Sequence, residues 1–184
     1  MEGRTRFVAI SGMAGTGKST VAEALSQYLG WSMFSAGQTM REILSRQPNK
    51  YKCPAEFDAA VDAMARKFVL DHQWGVVEGR LSLLATREIS RVFSVLLTCE
   101  AETRYRRIFD GRHRGETTLD RVRFDTARRD QEDLERLSQK FPDPYNPAKY
   151  NLHLDTTHLS REEVFELVLA GAGFQSPAVV AQAL

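Results

Sequence analysis

A chain of 184 residues with 42% hydrophobic and 27% charged side chains can bury one sizeable core, and its composition excludes a fibrous or wholly disordered protein. Its net charge of +1 gives no overall pull toward nucleic acid or anionic lipid. No apolar run is long enough for a membrane span and the opening MEGRTRF lacks a secretory core, so a cytoplasmic location is expected.

The first predicted unit is a strand over 7–10, the loop GMAGTGKST, and a helix over 18–29 with Val21, Ala24, Leu25, Tyr28 and Leu29 on one face, stopped by Gly30. A short strand ending near Phe34 follows, then a helix opened by Ser35 and Gln38 at capping-box spacing and broken around Pro48. From Pro54 a long helix is predicted, because Phe57, Val61, Met64 and Phe68 recur on a helical period. Cys53, just before it, and Cys99 stand in no CxxC pair, which excludes a disulfide framework or a structural zinc site. WGVVEG and RVFSVLLTC read as strands, the second as a central parallel one.

A charged helix over 101–109 leads into the basic loop DGRHRGETT, where Thr117 and Asp120 are spaced to cap a helix running toward Lys140. After the proline-rich FPDPYNP come a last strand in YNLHLDTT and a last helix over 160–170, opened by a Ser160 and Glu163 capping box and closed by Gly171. Strands alternating with helices imply one three-layer α/β domain. Its parallel sheet of about five strands is covered on both faces, with ligands beyond the carboxyl ends of the strands.

The loop at such an end is specific: Gly12, Gly17, Lys18 and Ser19 satisfy G-x-x-x-x-G-K-[ST] between a strand and a helix. The backbone of Gly12, Met13, Ala14, Gly15, Thr16 and Gly17 can turn its N–H groups toward phosphate oxygens. The helix N-terminus adds its positive end, Lys18 reaches the β and γ phosphates, and Ser19, followed by Thr20, can ligate Mg2+. A nucleoside triphosphate with Mg2+ is the expected ligand. The N-K-x-D element of a guanine-specific switch is absent, NPAKYNL being the nearest stretch.

A kinase also needs a second anion site and a cover that excludes water. Ser35 at a strand end, Arg41 in the next helix, and Glu78, Gly79 and Arg80 at another strand end are candidates. Arg129, Asp133 and Arg136 share one helical face, where arginine forks suit phosphate and the acid suits ribose hydroxyls. A plainer reading makes this face a solvated ion-pair ladder. Glu78, ending an apolar strand, suits the water shell of Mg2+. Nine arginines against four acids over 104–129 mark the segment around DGRHRG as the cover. A rival of another class is a regulatory or RNA-associated P-loop ATPase with that segment as its nucleic-acid patch.

FVAISGMAGTGKSTVAEALSQYLG, FSAGQTMRE, VVEGRLS, the arginine-rich segment ending at Arg136, and YNLHLDTTHLSREEV resemble the nucleoside monophosphate kinases, most closely the short, archaeal-type cytidylate kinases, over about 7–169. The resemblance implies a P-loop fold with strand order 2-3-1-4-5, a monophosphate-binding region over about 35–72 and a small helical lid over about 108–128. It implies that Ser35, Arg41, Gly79 and Arg80 hold the acceptor monophosphate and that Arg129, Asp133 and Arg136 contact its phosphate and sugar. Arg107 would border the adenine, and a lid arginine, Arg112 or Arg114, would act with Lys18 and Arg129 on the transferring phosphate. Ala127 and Ala59 stand where the family commonly carries arginine, leaving Asp58 and Asp62 as readers of the base. The implied reaction is transfer from ATP to CMP or dCMP, with AMP, a nucleoside or a non-nucleotide alcohol as alternative acceptors. A monomer that binds neither nucleic acid nor membrane is expected.

Overall fold

β1 (Phe7–Gly12) is buried at all six positions, as a strand covered on both faces must be. The computed structural model describes residues 5–47, 50–51, 53–111 and 118–175. In it β1 pairs in parallel with β3 (Gly75–Gly79) and β4 (Val92–Thr98), while β2 (Ser32–Ser35) and β5 (Leu152–Asp155) add outside them. The resulting order, β2-β3-β1-β4-β5, is the one the resemblance implied. The crossovers carry α1 (Lys18–Leu29), α2 (Ala36–Arg46), α3 (Pro54–Asp71), α4 (Leu83–Thr86), α5 (Ala101–Gly111) and α6 (Leu119–Lys140), and α7 (Arg161–Gly171) follows β5.

Alternation along the strands sends side chains to two separate cores. On one face Val8, Ile10, Val76, Val95 and Leu97 meet Val21, Ala22 and Leu25 of α1 and Val164, Val168 and Leu169 of α7. On the other, Phe7 and Val77 pack with Val69 of α3, joined by Phe34, Phe68, Ala85 and Ile89. Each fully buried side chain of this kind contributes about 1.5–3 kcal/mol.

Local details differ from the predicted pattern for identifiable reasons. α3 buries Phe57, Val61, Ala65 and Val69, so Met64, expected inside, is 40% exposed. The small Ala65 takes the inward place and, with Val61, borders the cleft described below. On α1, Ala22 is buried in place of Tyr28, which is exposed and meets Phe165 edge-on at 5.7 Å between ring centroids. The box at α2 is half-made: Ser35 Oγ accepts from the Gln38 N–H at 3.1 Å, but the Gln38 side chain reaches forward to Glu42 at 2.9 Å. Thr118 caps α6, its Oγ1 accepting from the Arg121 N–H at 3.2 Å; Thr117, expected there, lies outside the described residues.

At α7 the predicted box is complete, with Ser160 Oγ accepting from the Glu163 N–H and Glu163 Oε2 accepting from the Ser160 N–H. Gly171 is the last residue of the helix, and Ala172 is its C-cap. Ser160→Ala is expected to cost about 1 kcal/mol, measurable as a lower urea midpoint at unchanged slope.

Candidate active site

Register brings the functional segments to one edge of the sheet. Ser11 lies opposite Gly79, Gly12 opposite Leu97 and Ser35 opposite Glu78, so the glycine loop, Ser35, Glu78 and Arg80 all emerge together. The loop is pressed against its neighbours. At Gly15, φ is +81° and an added Cβ would lie 2.8 Å from the Arg104 carbonyl oxygen, so only glycine fits. Thr16 Oγ1 donates to the Met13 carbonyl at 2.9 Å, and Thr156 Oγ1 lies 3.1 Å from the Thr16 carbonyl. α1 starts from Gly17 with no side-chain cap and no acidic residue in its first turn. Its terminal N–H groups are therefore presented to an incoming anion.

Lys18 is half-buried, with Nζ donating back to the Met13 carbonyl at 3.1 Å. Burial of the ammonium pushes its pKa down to about 8; Glu78 and Asp130 partly offset this, while Arg80 and Arg129 add to it.

Across from the lysine, cations and acids alternate. Arg80 Nε lies 2.7 Å from Asp133 Oδ2 and its Nη1 3.1 Å from Asp130 Oδ1. Arg136 pairs with Asp133 and, at 3.0 Å, with Asp58; Arg129 is 3.7 Å from Asp133; Lys140 is 2.8 Å from Asp62. The plain solvated ladder is not what forms on α6, since Asp133 is only 5% exposed and serves three guanidiniums. Glu78, 1% exposed, accepts the Ser35 hydroxyl.

One cleft of about 290 Å3 is lined by Ala14, Gly15, Lys18 and Ser19 and equally by Arg41, Asp58, Asp62, Glu78, Gly79, Arg80, Arg129, Asp133 and Arg136. Gly12, Met13, Thr16, Gly17 and Thr20 frame the loop without lining the cleft, and Ser35 stands behind Glu78. Arg107 also stands outside it, bound to Thr156 through Oγ1 at 3.1 Å and the carbonyl at 2.7 Å. Arg112 and Arg114 lie outside the described residues.

A family model described as an AAA domain matches residues 8–140. The cytidylate kinase of Pyrobaculum calidifontis is 30% identical over 177 residues, spanning 88% of this chain and 90% of that one. The chain belongs to the cytidylate kinase group of nucleoside monophosphate kinases. The cytidylate kinase of Thermoplasma volcanium is 29% identical, with 88% of each chain covered. Among solved structures, a gluconokinase from Sinorhizobium meliloti superposes with a TM-score of 0.62 at 15% identity over 99% of this chain and all of that one. A shikimate kinase from Bacteroides thetaiotaomicron gives 0.60 at 12% identity, covering 90% and 97%. These two likenesses speak to the P-loop kinase fold alone.

For a member of this kinase group, a metal fits the site by its donor chemistry. The Ser19 hydroxyl and the Glu78 carboxylate both line the cleft and are the hard oxygen donors Mg2+ takes alongside water and phosphate. Among the described residues no cluster of three histidines, cysteines or acids could cage a metal, and none of the described helices is long and apolar enough to cross a membrane.

Sequence reasoning missed Asp130, Arg104, Lys140 and Tyr145. Asp130 follows Arg129 directly, and its role shows only once α6 is placed beside Arg80. The Tyr145 hydroxyl is buried with no hydrogen-bond partner among the described residues. Burial pushes its pKa up to about 12, so it remains a neutral donor at ordinary pH.

Proposed function

We propose that the protein transfers the γ-phosphoryl group of ATP to a pyrimidine nucleoside monophosphate, CMP or dCMP, yielding the diphosphate and ADP. The observation that carries the reading is the convergence of Arg41, Arg80, Arg129 and Arg136 on the same cleft as Lys18 and Ser19. The names of the relatives, cytidylate kinases, favour the pyrimidine acceptor.

In this reading the loop amides and Lys18 hold the β and γ phosphates. Ser19 and, through a water shell, Glu78 would hold Mg2+, which when bound supplies neutralisation of the charge that develops on the phosphates. The acceptor phosphate draws Arg41, Arg80 and Arg129 from their acids or from water, and Asp133 and Arg136 contact the sugar. Asp58 and Asp62 on α3 face the base. The region over about 35–72 would hold the monophosphate and that over about 108–128 would form the cover; Arg112 and Arg114, assigned by the resemblance to the transferred group, lie outside the described residues. Positioning and charge stabilisation suffice here, because phosphoryl transfer asks little covalent chemistry of the protein.

Incubation with ATP, Mg2+ and each of CMP, dCMP, UMP and AMP in turn tests the reading. CDP and dCDP are expected to form fastest. Absence of diphosphate from every acceptor would refute it, and RNA binding that falls steeply with salt would favour the ATPase rival instead.

A further inference from the structure

One buried guanidinium rests against the phosphate loop without lining the cleft. Arg104 projects from α5, is 6% exposed, and has Nη1 3.0 Å from the Ala14 carbonyl oxygen and 2.7 Å from Asp130 Oδ2. Its backbone carbonyl is also the atom that excludes a Cβ at Gly15. Two successive loop residues thus rest on one residue of α5.

We propose that Arg104 is a positioning residue for the donor phosphates: by holding the Ala14 carbonyl it fixes the orientation of the Ala14–Gly15 peptide in the phosphate loop. The proposal rests on the reading of this loop as a triphosphate site. In a trans peptide the C=O and N–H point in opposite directions. Binding the Ala14 carbonyl to the guanidinium therefore turns the Gly15 N–H away from Arg104, toward the cleft that Ala14 and Gly15 line. Glycine alone cannot keep it there. The residue that permits the close approach to α5 is also the one least able to resist rotation of its peptide, and a rotated peptide would offer the phosphates a carbonyl oxygen. The lock has to come from outside the loop, and Arg104 supplies it.

Asp130 makes the lock directional. One carboxylate oxygen lies 2.7 Å from Arg104 Nη1 and the other 3.1 Å from Arg80 Nη1, so the same Arg104 nitrogen that meets the Ala14 carbonyl is drawn toward α6 by charge. An ion pair that merely joined α5 to α6 would have no need of the Ala14 carbonyl.

Titrating Mg·ATP and adenosine separately into the wild-type protein and into Arg104→Met, Arg104→Lys and Asp130→Asn tests this, with circular dichroism to confirm folding. Losing a hydrogen bond from a charged donor is worth about tenfold or more in affinity. Arg104→Met is expected to weaken Mg·ATP by about that factor while adenosine binding changes less than about twofold. Arg104→Lys should recover part of the loss, and Asp130→Asn should shift Mg·ATP in the same direction by a smaller factor. If Arg104→Met fails to fold, the lysine and Asp130→Asn variants carry the same comparison. A lower melting temperature with an unchanged ratio of Mg·ATP to adenosine affinity would overturn the proposal, leaving only a structural tie. Failure of the wild type to bind Mg·ATP would overturn both it and the triphosphate reading. A wild type that binds Mg·ATP but phosphorylates no monophosphate would defeat the acceptor assignment alone, and the titration would still decide for or against Arg104.

Discussion

Replacing Lys18 with methionine will cut phosphoryl transfer by about two to three orders of magnitude and, with no nucleotide bound, make the protein more stable. The first effect follows from the proposed role of the Lys18 ammonium on the β and γ phosphates, whose removal is expected to lose about 3–4 kcal/mol of transition-state stabilisation. The second follows from its depressed pKa of about 8 against an ordinary 10.5, which corresponds to about 3 kcal/mol spent on keeping the buried ammonium charged. Methionine fills the same path without charge, and the Met13 carbonyl keeps Thr16 Oγ1 as a donor. Glu78 and Asp130 lose a nearby cation, so a net gain of about 1–2 kcal/mol is expected from chemical denaturation at pH 7.

The gap between variant and wild type has a defined pH dependence. Between about pH 8 and 10.5 the unfolded wild-type chain binds more protons at Lys18 than the folded one. Wild-type stability therefore rises with pH through that window. The advantage of Lys18→Met is full below about pH 8 and is gone above 10.5. Activity responds oppositely: kcat/KM for ATP should fall above about pH 8, while kcat holds to higher pH because bound phosphates favour the ammonium. A variant no more stable than wild type at pH 7 would show that the lysine is not strained by burial.

Asp133→Leu is expected to be strongly destabilising, by about 2–3 kcal/mol, because it removes a buried carboxylate shared by the partly buried Arg80 and Arg136. Arg80 would retain Asp130 and Arg136 would retain Asp58, which limits the loss. The charge argument makes a second demand. Added inorganic phosphate should raise the melting temperature of Asp133→Leu more than that of wild type, since an anion can stand in for the missing acid. Equal shifts in the two proteins would mean that Asp133 is a packing residue whose charge is incidental.

What could be foreseen from the chain was what is encoded locally. The phosphate loop declares itself within eight residues, its glycines and lysine needing only a strand before and a helix after, and the sheet follows from short apolar runs at regular intervals. The cleft cations were found because they sit at strand ends or on one helical face. Their partners were not, since Arg80 meets Asp130 across 50 residues and Arg136 meets Asp58 across 78, and no spacing rule reaches that far. Arg104 was hidden for a related reason. In RYRR one arginine looks like another, and which of them is buried depends on where the glycine loop comes to rest on α5. Periodicity likewise located α3 but misjudged its rotation, because a small residue at the cleft wall counts little in an apolar pattern.

The two bonds that span α3 and α6, Arg136 to Asp58 and Lys140 to Asp62, lie one turn apart on both helices and fasten two walls of the cleft to each other by charge. Fastenings of this kind weaken as added electrolyte shortens the Debye length, about 10 Å at 0.1 M, and the outer, better-hydrated Lys140 pair gives way first. Rising ionic strength is therefore expected to loosen α3 from α6 along the cleft that both helices line.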